Sequence, residues 1–222
     1  MIPLRDSQPS RSFPVMTLLI IAVNVAAFLT ELSLDEFSRN HFIERYGLVP
    51  ETLRPAALVT SMFLHGGWLH IVGNMWFLWI FGDNVEDILG RWRFLLFYLG
   101  SGIAAGLAHY ALNPDSRVPT VGASGAIAGV MGAYMLKFPH SRIKTLVFLL
   151  IFVDVADIPA VWMLVYWFFI QVVSGVGELG KQSVNEGGVA WFAHVGGFLA
   201  GMALVSVLRT RDRYRNYREY YW

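Results

Sequence analysis

Between its charged residues the chain falls into long uncharged stretches. Cutting it at every Lys, Arg, Asp and Glu leaves six windows, 12–30, 55–82, 94–114, 118–136, 158–177 and 187–208, which hold 129 of the 222 residues. A helix needs about 20 apolar residues to cross a hydrocarbon layer roughly 30 Å thick, so each window is long enough to span once. The pattern predicts helices near 14–30, 58–81, 94–112, 122–137, 158–174 and 189–208, an all-α, polytopic membrane bundle of six spans. Residues 1–13 then form a short segment before the membrane domain of 14–208, and 209–222 a basic, aromatic tail. The run TLVFLLIFV at 145–153 is too short to span and is expected at the interface or folded back on the bundle. Short amphipathic helices are expected in the 31–57 connection, where charged residues alternate with Leu34, Phe37, Phe42 and Ile43.

Composition agrees with this reading. The chain is 55% hydrophobic and 15% charged, with a mean hydropathy of +0.50. The absence of cysteine excludes disulfides, thiolate metal sites and a cysteine nucleophile. A net charge of +1 gives no basic footprint for nucleic acid, and no glycine-rich phosphate loop is present. Arg5 and Arg11 before the first apolar run resemble a secretory signal, but no AxA-like cleavage site follows, so a first spanning helix is preferred. With six spans both termini share a side, and that side receives 12 of the 17 Lys and Arg. The positive-inside tendency places it in the cytoplasm and makes the protein a multi-pass protein of the cell membrane, its tail against anionic lipid.

The residues that lipid should exclude are the informative ones. His65, His70 and Asn74 fall in the second window and His194 in the sixth. Such groups are costly unless they face the bundle interior or a watery cavity. His70 and Asn74, four apart, share a helical face. In the fourth window Ser124 stands between Gly122 and Gly125, where Pro119 and Gly122 suit a turn and the following residues a helix. A helix beginning there presents N–H donors and its positive dipole end to an anion. Gly125, Gly129 and Gly132 line one face of that helix, and Gly197 and Gly201 follow His194 by three and seven residues. Two smooth faces allow close approach, bringing Ser124 and His194 within reach. Imidazole is the base best suited to activate a serine near neutral pH, and the Ser124 amide, His70 and Asn74 can supply oxyanion donors. No carboxylate in the windows stands ready to orient His194, so the expected unit is a dyad. The pattern calls for no cofactor or metal.

His65, His70 and Asn74 as HxxxxHxxxN, GASG around Ser124, and AHxxGxxxG from Ala193 to Gly201, in that order, resemble the rhomboid family of intramembrane serine proteases. The resemblance covers about residues 14–208 and matches a six-span bacterial-type core. It implies cleavage of transmembrane segments of other membrane proteins, with Ser124 as nucleophile, His194 as general base, His70, Asn74 and the Ser124 amide at the oxyanion, and His65 in a structural role. Membrane proteins as substrates and lipid as surroundings are the implied partners, and the sequence carries no signal for oligomeric state. Two departures stand out. A Trp-Arg pair common in the first loop is replaced by Ala56 and Ala57, with Arg54 nearby, and Ala128 takes the place of a tyrosine that stacks on the catalytic histidine in some bacterial members. Trp191 or a residue of the second span is then expected to support His194. Trp162, Trp167 and Phe168 are expected to line a lateral entry, beneath a glycine-rich 175–188 loop. Two other readings are a catalytically inactive rhomboid-like protein that binds client helices and a small transporter or channel, the latter requiring paired broken helices where only one window has such punctuation.

Overall fold

The computed structural model describes residues 1–149, 152–178 and 189–211, so most of the 175–188 loop and the end of the tail lie outside the described residues. In chain order the elements are β1 (Ile2–Asp6), α1 (Val15–Ser33), α2 (Glu36–Tyr46), α3 (Ala57–Thr60), α4 (Trp68–Leu89), α5 (Arg91–Leu112), α6 (Ser124–Lys137), β2 (Arg142–Leu149), β3 (Phe152–Pro159), α7 (Ala160–Glu178) and α8 (Trp191–Val207). Each of the six charge-free windows carries a long helix, and α2 supplies a helix in the first connection. By length and composition α1, α5 and α7 are able to cross a membrane, and α8 is a shorter apolar helix of 17 residues. The other two bear the polar residues singled out above: α4 runs on into Asp83, Glu86 and Asp87, and α6 has only 14 residues.

The all-α expectation is corrected by a three-stranded antiparallel sheet in the order β1-β2-β3. The segment expected at the interface or folded back on the bundle forms a β-hairpin, completed by the N-terminal strand, with Ile2 opposite Leu146 and Val155 on the other side of Leu146. Branched and aromatic residues favour an extended chain, and β2 alternates: Ile143 and Thr145 are buried while Arg142 points outward. Pro3 is accommodated because β1 is an edge strand, with a register irregularity between Pro3 and Arg5. Trp76 of α4 donates its indole N–H to the Pro3 carbonyl at 2.6 Å, tying this strand to the bundle.

Buried charges hold the elements together at this end. Glu86 of α4 is 2% exposed and accepts from the Met16 and Thr17 backbone N–H groups at 2.9 and 2.8 Å, and from the Thr17 hydroxyl at 2.8 Å. It thereby caps the first turn of α1, where N–H groups have no partner in their own helix and the dipole favours an anion. Asp87 accepts from the Arg11 N–H at 3.2 Å and from the Ser12 hydroxyl. The chain turns from α4 into α5 at Gly90, whose φ of +79° suits glycine. The core is shared by α1, α4, α5, α6, α7 and α8, with Phe81, Phe94, Tyr98, Tyr134 and Phe198 among its largest buried side chains.

Asp6, at the end of β1, accepts a hydrogen bond from Tyr134 of α6 at 2.5 Å, and Tyr134 in turn meets Ser141 at 2.8 Å. Burial pushes the Asp6 carboxyl up to about 6, against the lowering effect of the Tyr134 bond. Folding therefore favours the protonated acid, a contribution fully present below about pH 4 and lost as pH rises through about 6. Asp6→Asn keeps the acceptor and removes the charge. It is expected to be more stable than the parent above pH 7, by about 1–2 kcal/mol, with the difference closing below pH 4, as measured by thermal unfolding in detergent across that range.

Candidate active site

The loop before α6 has no helical hydrogen bonds of its own, so its backbone groups need other partners. Leu48 and Thr120 exchange both backbone hydrogen bonds, at 3.0 and 2.8 Å, and the Gly122 N–H donates to the Ser61 carbonyl at 2.9 Å. Gly122 has a φ of +127°, and a Cβ there would lie 2.7 Å from His70 Nε2. Only glycine gives both the conformation and the clearance. The chain then enters α6 with Ser124 as its first helical residue, as the sequence predicts.

Helices α6 and α8 approach until their backbones touch. A Cβ on Gly197 would run into the Gly125 carbonyl oxygen, and one on Gly201 into that of Gly129. On its other side Gly129 meets Ser101 of α5, and Gly125 meets Ala105. This crossing sets Ser124 Oγ 2.7 Å from His194 Nε2, although the two residues are 70 positions apart. His194 is 9% exposed and Ser124 half-buried, so the pair is shielded yet reachable.

Around this pair, His70 and Asn74 project from the first two turns of α4 toward Gly122. The Gly66 backbone N–H donates to His70 Nδ1 at 3.4 Å, leaving Nε2 as the protonated nitrogen, and it is Nε2 that faces Gly122. Asn74 is 8% exposed, and its Nδ2 amide is a buried donor with no partner among the described residues. His65 lies behind this group, 2% exposed, with its ring edge-on to His70 at 5.1 Å and its backbone N–H donating to the buried Glu31 carboxylate at 3.2 Å. Ser124, His194, His70, Asn74 and Gly122 thus converge, while Gly125, Gly129, Gly197 and Gly201 form the crossing that supports them. A hydroxyl on a base, next to a helix N-terminus and two aimed N–H donors, is an arrangement able to transfer an acyl group.

The structure extends the expectation for what supports His194. Trp191 meets it edge-on at 6.4 Å, but Trp167 of α7 lies closer to parallel, at 5.8 Å and 34°, and Gln171, one turn further along α7, hydrogen-bonds His194 Nδ1 at 2.7 Å. No residue of α4 has that role. Gln171 was not singled out from the sequence. The available signal was a lone amide in an otherwise apolar span, IPAVWMLVYWFFIQ. Of the aromatic residues expected at a lateral entry, Trp162 is exposed, whereas Phe168 packs inward on Phe198 at 4.8 Å and Trp167 on the same ring at 6.1 Å. Arg54 donates to the Glu44 carbonyl within the first connection, away from this site.

Alanine at Gly197 must force α6 and α8 apart. Gly197→Ala is expected to lower stability by about 1–3 kcal/mol in SDS-titration unfolding. Gly73→Ala, where a Cβ would have nothing within 4 Å, is expected to be neutral or to raise stability by about 0.5–1 kcal/mol.

Comparison with known proteins gives the same direction. The chain is 42% identical to YdcA of Bacillus subtilis over 78 residues, covering 35% of this chain and 39% of that protein. It is 35% identical to the rhomboid protease GluP of the same organism over 127 residues, covering 55% and 24%, respectively. With Rhomboid protein 1, mitochondrial, of Saccharomyces cerevisiae it shares 33% identity over 113 residues, covering 48% and 33%. The matches thus span well under half the length of these relatives. The profile of the rhomboid domain matches residues 52–211, from the first connection through α8, and with its apolar helices the chain belongs to the rhomboid family of membrane proteins.

Proposed function

We propose that this protein is an intramembrane serine endopeptidase that hydrolyses peptide bonds in or near the transmembrane segments of other membrane proteins. The observation that carries the reading is the 2.7 Å contact between Ser124 Oγ and His194 Nε2 at the start of α6. His194 Nε2 takes the serine proton as Oγ attacks the scissile carbonyl carbon. The oxyanion that forms is held by the Ser124 backbone N–H, His70 Nε2–H and Asn74 Nδ2–H, the last a buried donor with no other partner among the described residues. The imidazolium then gives its proton to the leaving amine, and the peptide bond breaks to leave an acyl ester on Ser124. A water activated by His194 hydrolyses that ester and restores the serine. These steps use only the chain's own residues.

The protein performs this chemistry as a six-span core over 14–208 in the cell membrane, with its termini in the cytoplasm and lipid around it. Three lines support this placement: six charge-free windows that each carry a helix, the bias of basic residues to one side, and relatives named as rhomboid proteases in a bacterium.

A serine-reactive fluorophosphonate should label the detergent-solubilised protein, and Ser124→Ala and His194→Ala should each abolish labelling and cleavage of a model transmembrane substrate. Wild-type protein that neither labels nor cleaves would favour the inactive, client-binding reading. With the same substrate Asn74→Ala is expected to lower kcat by about 10²–10³-fold with KM little changed, since the donor acts on charge that develops only in the transition state.

A further inference from the structure

We infer that Gln171 of α7 is the positioning residue of His194, holding the imidazole in the tautomer that serves Ser124; this rests on the serine protease reading above. The argument begins with the amide. Gln171 Nε2 donates to the Trp167 carbonyl one turn back in its own helix, at 3.2 Å. Turning the amide over would set two oxygens against each other there, so Oε1 is the atom that faces His194 Nδ1 at 2.7 Å. An amide oxygen only accepts. The proton of that bond must therefore belong to Nδ1, and a neutral ring protonated at Nδ1 presents the lone pair of Nε2 to Ser124 Oγ at 2.7 Å. The opposite tautomer would set the Nδ1 lone pair against Oε1 and leave Nε2–H donating to Ser124 Oγ, unable to take its proton.

The setting strengthens this bond. Gln171 is 4% exposed and His194 9%, so water competes little for either partner. Trp167 lies against the ring from the same helix, and together they take over the support that an aromatic residue at position 128 would give, where Ala128 has no ring to offer. The other titratable groups that face His194 are His70 of α4 and His109 of α5, and no carboxylate among the described residues hydrogen-bonds it. A neutral acceptor suits an apolar surrounding, because a buried carboxylate would stand unpaired whenever the ring is neutral. Ser124 on α6 and His194 on α8 thus form the dyad, and Gln171 on α7 positions its base.

The test uses the full-length protein in detergent with a transmembrane substrate. Gln171→Leu, which fills the site without an acceptor, is expected to lower kcat by about 10–100-fold with KM within about twofold of wild type. Gln171→Glu restores an acceptor and should recover most of that loss, while its negative charge moves the acidic limb of the kcat–pH profile upward by about one pH unit. Nitrogen-15 spectra of histidine-labelled protein, with His194 assigned by comparison with His194→Asn, should show the Nδ1–H form in the wild type and a mixture of tautomers in Gln171→Leu. The assignment is overturned by an Nε2–H form in the wild type, or by a Gln171→Leu protein with wild-type kcat and pH profile. The wild-type spectrum requires no turnover and no folded Gln171 variant, only the His194→Asn protein for its assignment. If the wild type fails to cleave but shows the Nδ1–H form, the protease reading fails while the placement of Gln171 on the ring stands.

Discussion

Backbone contact between α6 and α8 is the constraint on which the rest of the site depends. Hydrophobic attraction does not draw helices together in lipid, where the surrounding chains are as apolar as the side chains, so close packing of small residues has to do it. Gly125 against Gly197 and Gly129 against Gly201 remove every atom that would keep the two helices apart. Ser124 and His194 each lie within one turn of that crossing. Their 2.7 Å separation is therefore a property of four glycines as much as of the two residues themselves. Ser101 and Ala105 of α5 extend the same close packing to a third helix.

A second feature is how the polar groups within the bundle are partnered. Glu86 is occupied by the first turn of α1, Asp6 by Tyr134, and the loop before α6 by the Leu48 and Ser61 backbones. Asn74 Nδ2 is a donor left over beside Gly122. In the proposed reaction that surplus is matched only when an oxyanion forms, which places the binding energy in the transition state and not in the resting enzyme.

Much of the fold was legible along the chain because lipid imposes a simple grammar: a stretch long enough and free of charge becomes a helix. All six windows contain one. Ser124, His70, Asn74 and His194 were legible for the converse reason, as polar residues where none should be. The sheet was not. β1 lies more than 130 residues from its partner β2, and a five-residue strand such as Ile2–Asp6 has no pattern of its own until a neighbour supplies its hydrogen bonds. The 145–153 run was recognised as too short to span, yet its apolar character alone did not separate an interfacial segment from a strand. Gln171 was hidden differently: a single amide in an apolar span is equally suited to bonding its own helix, and it does so through Nε2.

The sequence by itself determined which windows hold helices, that the helix bearing Ser124 begins beside that residue, and which polar side chains stand out within apolar stretches. These follow from local rules, namely hydropathy, the turn that Pro119 and Gly122 suit, and the polarity of serine, amide and imidazole groups. Only the tertiary structure decided that the N-terminal strand joins a sheet and that α7 supplies the partner of His194 Nδ1. A hydrogen bond is directional and works over less than about 3.2 Å, so its partners are chosen by how helices distant in sequence come to rest against each other. That final fit is what sets the orientation of the imidazole.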